Sequence, residues 1–249
     1  MNREIVSFSL MSTFLLIAMV GAASAQTRTV TVTMGNTFKY NTTGSWSSND
    51  PSFTPPTSVE NLNKTEWMQV AVTAISGTNI TGQLTTLFKN GTEITSDGWI
   101  DIETGNNENM TTLFISANLI AGDSMYTSPP FDTEIINETV SRTYPSGTRD
   151  TNHVNMTSAS TSILGNNLSV TNNIYWDKST GVLVELSAEE SNQTGTYMTT
   201  WSEDMQISNS NVWTVPEFPN WTLTLLTLIG LSSAIVTIHR QKRAKKPLP

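Results

Sequence analysis

The residues that could do chemistry are few. The chain has two histidines, and only His153 lies outside its C-terminal anchor region, on the polar stretch Asp150-Thr151-Asn152-His153-Val154. A serine or threonine nucleophile usually needs a basic partner, most often histidine. No Gly-x-Ser-x-Gly elbow is present either, so His153 reads as a structural or exposed residue. There is no cysteine, which excludes thiolate nucleophiles, cysteine metal sites and a disulfide framework. Asp97, Asp101 and Glu103 alternate with Trp99 between them and share a strand face beside the polar residues 106–109. Oxygen ligands grouped in this way suit Ca²⁺. The EF-hand spacing is absent, and a solvated strand face accounts for the same pattern. Zinc and redox metals have no ligand set. Glycosidase chemistry needs two carboxylates in a cleft, and the many acidic pairs here single out none. Trp46, Trp67, Trp99, Trp176, Trp201 and Trp213 could stack on sugars or line an apolar site. In a β protein they more often pack a core or a sheet edge. The expectation is no catalytic centre, no cofactor and no metal.

One covalent chemistry does have a dense signal. Asn-x-Ser/Thr acceptors occur at Asn41, Asn63, Asn79, Asn90, Asn109, Asn137, Asn155, Asn167 and Asn192, with another at Asn220 close to the C-terminal apolar run. Abundant Asn, Ser and Thr would give several by chance. Their near-even spread, several at turns or strand ends, is what surface glycans need.

These residues are carried mostly by strands. Apolar and polar residues alternate at period two through most of 26–208. Val30, Val32 and Met34 mark one face of a first strand, and Phe38 and Tyr40 one face of the next. Residues 46–56 are rich in Ser, Asn, Asp and Pro and read as a long loop. From Lys64, three runs joined by Ser76-Gly77-Thr78-Asn79 and by Asn90-Gly91 read as an antiparallel meander, because Asn-Gly tolerates positive φ at both turn positions. Leu113, Ile115, Ala117 and Leu119 alternate again. Residues 135–144 and 149–160 read as a strand pair across Pro145-Ser146-Gly147. Residues 173–186 form a hairpin about Asp177-Lys178-Ser179-Thr180-Gly181. Tyr197, Thr199, Trp201, Met205 and Ile207 mark a last strand. No window of 11 or more residues in 26–219 carries a helical stripe. The fold class expected is mainly β, a twisted antiparallel sheet, either an open half-barrel or a sandwich.

The ends of the chain set the compartment. Residues 1–25 hold an apolar stretch from Phe8 to Val20 and then Ala23-Ser24-Ala25, a signal-peptide pattern with Gln26 as the first mature residue. Residues 209–219 are a linker. Residues 220–239 are apolar without Asp, Glu, Lys or Arg, about the length that crosses a bilayer as a helix. Residues 240–249 are basic, which favours a cytoplasmic tail. The expected location is the plasma membrane, single-pass, with the N-terminal β domain outside. Residues 26–219 carry seven basic and 20 acidic residues, a net charge of −13. Nucleic acid would be repelled, so it is excluded as a partner.

Three resemblances are visible in particular residues. Pro216-Glu217-Phe218, the apolar span and the basic tail together resemble the archaeal PEF-type C-terminal sorting signal. That resemblance implies a transpeptidase of the archaeosortase kind as partner, with cleavage near the tripeptide and transfer to a membrane lipid. A permanent helical anchor is the other reading of the same span. The outer segment resembles uncharacterised exported archaeal proteins through Trp46-Ser47-Ser48-Asn49-Asp50-Pro51, Arg142-Thr143-Tyr144-Pro145 and the run from Tyr175 to Glu185. That run is also similar to a hairpin of half-barrel carriers of lipids and lipoproteins. The function expected is a membrane-anchored, N-glycosylated surface protein with a structural or adhesive role, in contact with membrane lipid and with a surface layer or glycan. A half-barrel module for a lipid or other apolar ligand is the alternative. A cell-surface hydrolase is a third and weaker fit.

Overall fold

The computed structural model describes residues 27–129, 132–161 and 167–213. The expected signal helix, the sorting motif Pro216, Glu217 and Phe218, the transmembrane span and Asn220 lie outside the described residues. Among the described residues no helix is long and apolar enough to cross a membrane.

Among the described residues, ten strands and one short helix follow one another. They are β1 (Thr37–Ser48), α1 (Thr57–Lys64), β2 (Thr65–Ser76), β3 (Asn79–Phe88), β4 (Glu93–Asp101) and β5 (Asn107–Glu108). After a long connection come β6 (Glu138–Tyr144), β7 (Gly147–Thr161), β8 (Asn167–Asp177), β9 (Leu183–Thr194) and β10 (Tyr197–Ser210). All ten belong to one open antiparallel sheet in the order β5-β4-β3-β2-β1-β10-β9-β8-β7-β6. Two meanders are thus joined through their long members β1 and β10, the first and last strands in sequence.

Period-two alternation puts one apolar face on this sheet. Phe38, Tyr40, Val70, Val72, Ile80, Ile100, Val154, Ile174 and Ile207 are all buried, and they form one core. Burying each such side chain contributes roughly 1.5–3 kcal/mol. The core is closed by the connection from β5 at one edge to β6 at the other. Residues 109–129 and 132–137 lie along that journey across the apolar face. They bury Met110, Leu113, Phe114, Ile115, Ala117, Leu119, Met125, Tyr126 and Ile136 on the way. Phe114 meets Phe38 edge to face, with centroids 5.9 Å apart. The indole N–H of Trp176 donates to the Thr112 carbonyl at 2.7 Å, and the Asn152 amide donates to the Leu119 carbonyl at 2.9 Å. The hairpin between β8 and β9 grips the same segment through three backbone bonds: Ile115 N–H to Gly181, Leu183 N–H to Leu113, and Asn118 N–H to Lys178.

Three sequence expectations change. Residues 113–119 are not a strand: Leu113 to Ala117 are buried without a break, because the segment crosses the sheet's apolar face and is also bonded to Thr29, through the Ala117 N–H to the Thr29 carbonyl and the Thr29 N–H to Ser116 Oγ, so alternation there no longer means one wet face. Residues 27–34 are not a strand either; Val32 is buried while Met34 is 74% exposed. Trp46, Ser47 and Ser48 belong to β1, since their backbones pair with β10 in spite of their polar neighbours. Helix α1 is too short to show a stripe. Its one buried residue is Val59, which sits on Gly44; a Cβ there would lie 2.9 Å from the Val59 carbonyl oxygen.

Candidate functional site

The sheet face opposite the core gathers the chemistry. Antiparallel register aligns Glu138, His153, Tyr175, Glu185, Gln206 and Asn41 in one row across β6, β7, β8, β9, β10 and β1. The next row is Asn155, Asn173, Ser187, Asp204 and Thr43. Neighbours in such rows lie about 4.5–5.5 Å apart at Cβ, close enough to interact.

The bonds within the rows are specific. Arg142 holds Glu185 bidentately, through Nε to Oε2 at 3.1 Å and Nη2 to Oε1 at 2.8 Å. Its guanidinium also lies 4.1 Å from the centroid of the Tyr175 ring. Burial works against the charge of Arg142, but Glu185 beside it holds the proton on more firmly than usual. The His153 ring stacks on Tyr175 at 4.3 Å, nearly parallel. Its Nδ1 faces Glu138 Oε1 and its Nε2 faces Asn173 Oδ1, each at 3.1 Å. Asn173 Oδ1 also accepts from the Asn155 amide at 2.8 Å. Ser187 donates to Asp204 Oδ1 at 2.6 Å.

Beside this network lies a pocket of about 300 Å³, lined by Asn41, Thr43, Glu185, Leu186, Asp204, Met205 and Gln206. It offers amides, a hydroxyl and two carboxylates, one of them already neutralised by Arg142. That lining suits hydrogen bonding to a small hydroxyl-rich ligand such as a sugar. His153 bonds to a carboxylate and an amide, and Ser187 bonds to Asp204, so no histidine–hydroxyl pair arises at this site.

The sequence-derived metal candidates do not converge. Asp97 is exposed on β4. Asp101 folds onto its own turn, accepting from the Glu103 N–H at 2.9 Å and the Thr104 hydroxyl at 3.0 Å. Burial pushes its carboxyl up, but these bonds and one from Thr78 prevail and hold it below the usual range. Among the described residues no three His, Asp or Glu side chains are grouped to hold a metal ion. Of the tryptophans, Trp176 and Trp213 are core residues. Trp67 lies under the Lys39 ammonium at 4.3 Å. Trp46, 46% exposed, packs with Phe53, and Phe53 stacks on Trp201.

The acceptor asparagines divide by exposure. Asn41, Asn63, Asn90, Asn109, Asn137, Asn155 and Asn167 are exposed, whereas Asn79 and Asn192 are half-buried. Asn41 lines the pocket. Asn63 uses its amide on both backbone groups of Gly44, at 2.8 and 3.1 Å. Asn109 and Asn137 lie just beyond the two edge strands, and each bonds to a neighbouring strand: Asn109 Nδ2 to the Asp97 carbonyl, and Asn137 Oδ1 from the Asn155 N–H.

Sequence reasoning missed Arg142, Asn173, Tyr175, Glu185 and Asp204 as a group. Parity placed Tyr175 and Glu185 opposite the apolar face of their hairpin. Nothing local said that Arg142, some 40 residues earlier, would reach them. No family model matches the chain, and no curated protein matches it in sequence.

Proposed function

We propose that this chain is an exported, membrane-tethered and N-glycosylated surface protein with a structural or adhesive role, its sheet curled as a half-barrel outside the plasma membrane. The observation that carries the reading is the exposure of seven of the nine acceptor asparagines on the folded domain, spread over turns, both sheet edges and the polar face. The polar pocket beside Asn41 supports contact with a glycan or surface-layer component. The reading gives the chain no catalytic step. A transpeptidase acting at Pro216, Glu217 and Phe218, with transfer to membrane lipid, completes the proposed route to the surface. The deciding experiment is mass spectrometry of the native protein together with protease treatment of intact cells. Glycans at exposed acceptors and digestion of residues 26–213 from outside are expected. An unmodified chain that protease cannot reach in intact cells overturns the proposal.

The second reading, a carrier of a lipid or other apolar ligand, has one observation in its favour. Beyond the crossing segment the core face continues with the half-buried Met156, Leu168, Val170, Leu186 and Met205. Against it, Thr112 and Phe114 of the crossing segment already occupy the face next to Phe38 and Trp176. Lipid retained by the purified protein through delipidating washes would favour this reading over the first.

A further inference from the structure

Strand β7 outruns its neighbour. It extends from Gly147 to Thr161, but its pairing with β6 runs only from Gly147 to His153. On its other side β7 is paired with β8 through Thr161. Residues 155–161 therefore form a free edge of the sheet. The direction of its backbone groups is fixed. The His153 carbonyl accepts from the Asn137 N–H, and the Asn155 N–H bonds to the Asn137 side chain, so odd-numbered residues turn toward the β6 side. By the alternation of an antiparallel strand, the N–H and C=O of Thr157 and Ala159 point outward from this edge. Among the described residues no strand pairs with them.

Proteins usually blunt such an edge with charge, proline or a bulge. The strands at the two ends of the sheet follow that rule: β6 carries Glu138 and Arg142, and β4, next to the two-residue β5, carries Glu93 and Asp97. The free edge of β7 does not. Its sequence, Asn-Met-Thr-Ser-Ala-Ser-Thr, has no charge and no proline, and residues 155 and 157–160 are exposed.

We propose that this edge is a strand-addition surface, and that its partner is a second copy of the chain. Antiparallel pairing about a two-fold axis through Ser158 sets Thr157 against Ala159, Met156 against Ser160 and Asn155 against Thr161. Every pair is neutral, and no like charges meet. This register uses the whole free edge and forms about six interchain backbone hydrogen bonds, since each outward pair exchanges two and the Asn155 N–H is already engaged. The two copies then share one continuous sheet. The contact is small, so the dimer is weak in solution and forms at high protein concentration.

The absence of native cysteine makes the register testable in the full-length, detergent-solubilised chain. Ser158 on the two copies faces itself as a non-hydrogen-bonded pair, with Cα atoms about 4.5 Å apart, within the range a disulfide spans. S158C should give a disulfide-linked dimer under mild oxidation, and T196C, at the exposed turn between β9 and β10, should not. Light scattering should show a concentration-dependent dimer for the unsubstituted chain, its loss in S158K, and its return when S158K is mixed with S158E. Position 158 is exposed, so these changes leave folding intact, checked by an unchanged circular dichroism spectrum. A chain monomeric at several hundred micromolar overturns the proposal. So does linkage through T196C as efficient as through S158C, or S158K dimerising as the unsubstituted chain does.

Discussion

Replacing Gly181 with alanine tests whether the crossing segment is held by the β8–β9 hairpin. Gly181 has φ +71°, and a Cβ placed there would lie 2.1 Å from the Ile115 carbonyl oxygen and 3.0 Å from its carbon. No rotamer relieves such a clash, because both partners are backbone. The hairpin must lift from residues 113–118, which breaks the bonds from Ile115 to Gly181, from Leu183 to Leu113 and from Asn118 to Lys178. Each contributes about 1 kcal/mol net, and the left-handed backbone costs an L-residue about 1–2 kcal/mol besides. The expected loss is about 4–5 kcal/mol, a large share of the 5–15 kcal/mol typical of a domain. Gly77 is the control. Its φ is +61° and nothing lies within 4 Å of the added Cβ, so Gly77→Ala should cost only about 1–2 kcal/mol. Urea denaturation followed by tryptophan fluorescence measures both, and Trp176, fully buried and bonded to Thr112, reports on the same docking. Equal losses in the two variants would refute the argument, since the hairpin would then not be what holds the segment.

The Tyr40 hydroxyl donates to the Leu183 carbonyl at 3.0 Å inside the core, so Tyr40→Phe should cost about 1–2 kcal/mol in the same melts. Burial pushes the hydroxyls of Tyr40, Tyr126 and Tyr144 up; their contribution is complete below the unfolded value of about 10 and is lost as pH rises above it, so urea midpoints should be flat at neutral pH and fall in alkali. Burial, then the nearby Glu203, pushes the Glu190 carboxyl up; its folded form prefers the proton, so stability is fullest below the unfolded value of about 4.3 and declines as pH rises, and Glu190→Gln should raise the midpoint at pH 7 and remove that part of the slope. Arg142→Lys keeps the charge but loses the bidentate pair with Glu185 and the planar contact with Tyr175, so thermal melts should show most of the loss seen in Arg142→Ala, about 1–2 kcal/mol; full rescue by lysine would show that charge alone matters.

The sequence by itself determined the local character of this protein. Period-two alternation in β2, β3, β4, β7 and β10 reports which residues share a face, because side chains on a strand alternate by geometry alone, whereas Val182, Leu183 and Val184 are all buried at a bulge where β9 meets β8. Asn90-Gly91 marked the hairpin between β3 and β4, although of the two only Gly91 takes a positive φ, +83°. What only the tertiary structure decided is which strands meet. The pairing of β1 with β10 joins residues some 170 positions apart, and it is what brings Asn41 and Thr43 beside the polar rows of β6 to β10. Leu113 to Leu119 mimicked a strand because alternation cannot tell a half-buried strand from a segment enclosed on both sides. Trp176 and Thr112 find each other through the path of the connection from β5 to β6, and Arg142 and Glu185 through the register of β6, β7, β8 and β9, neither of which any single window of sequence contains.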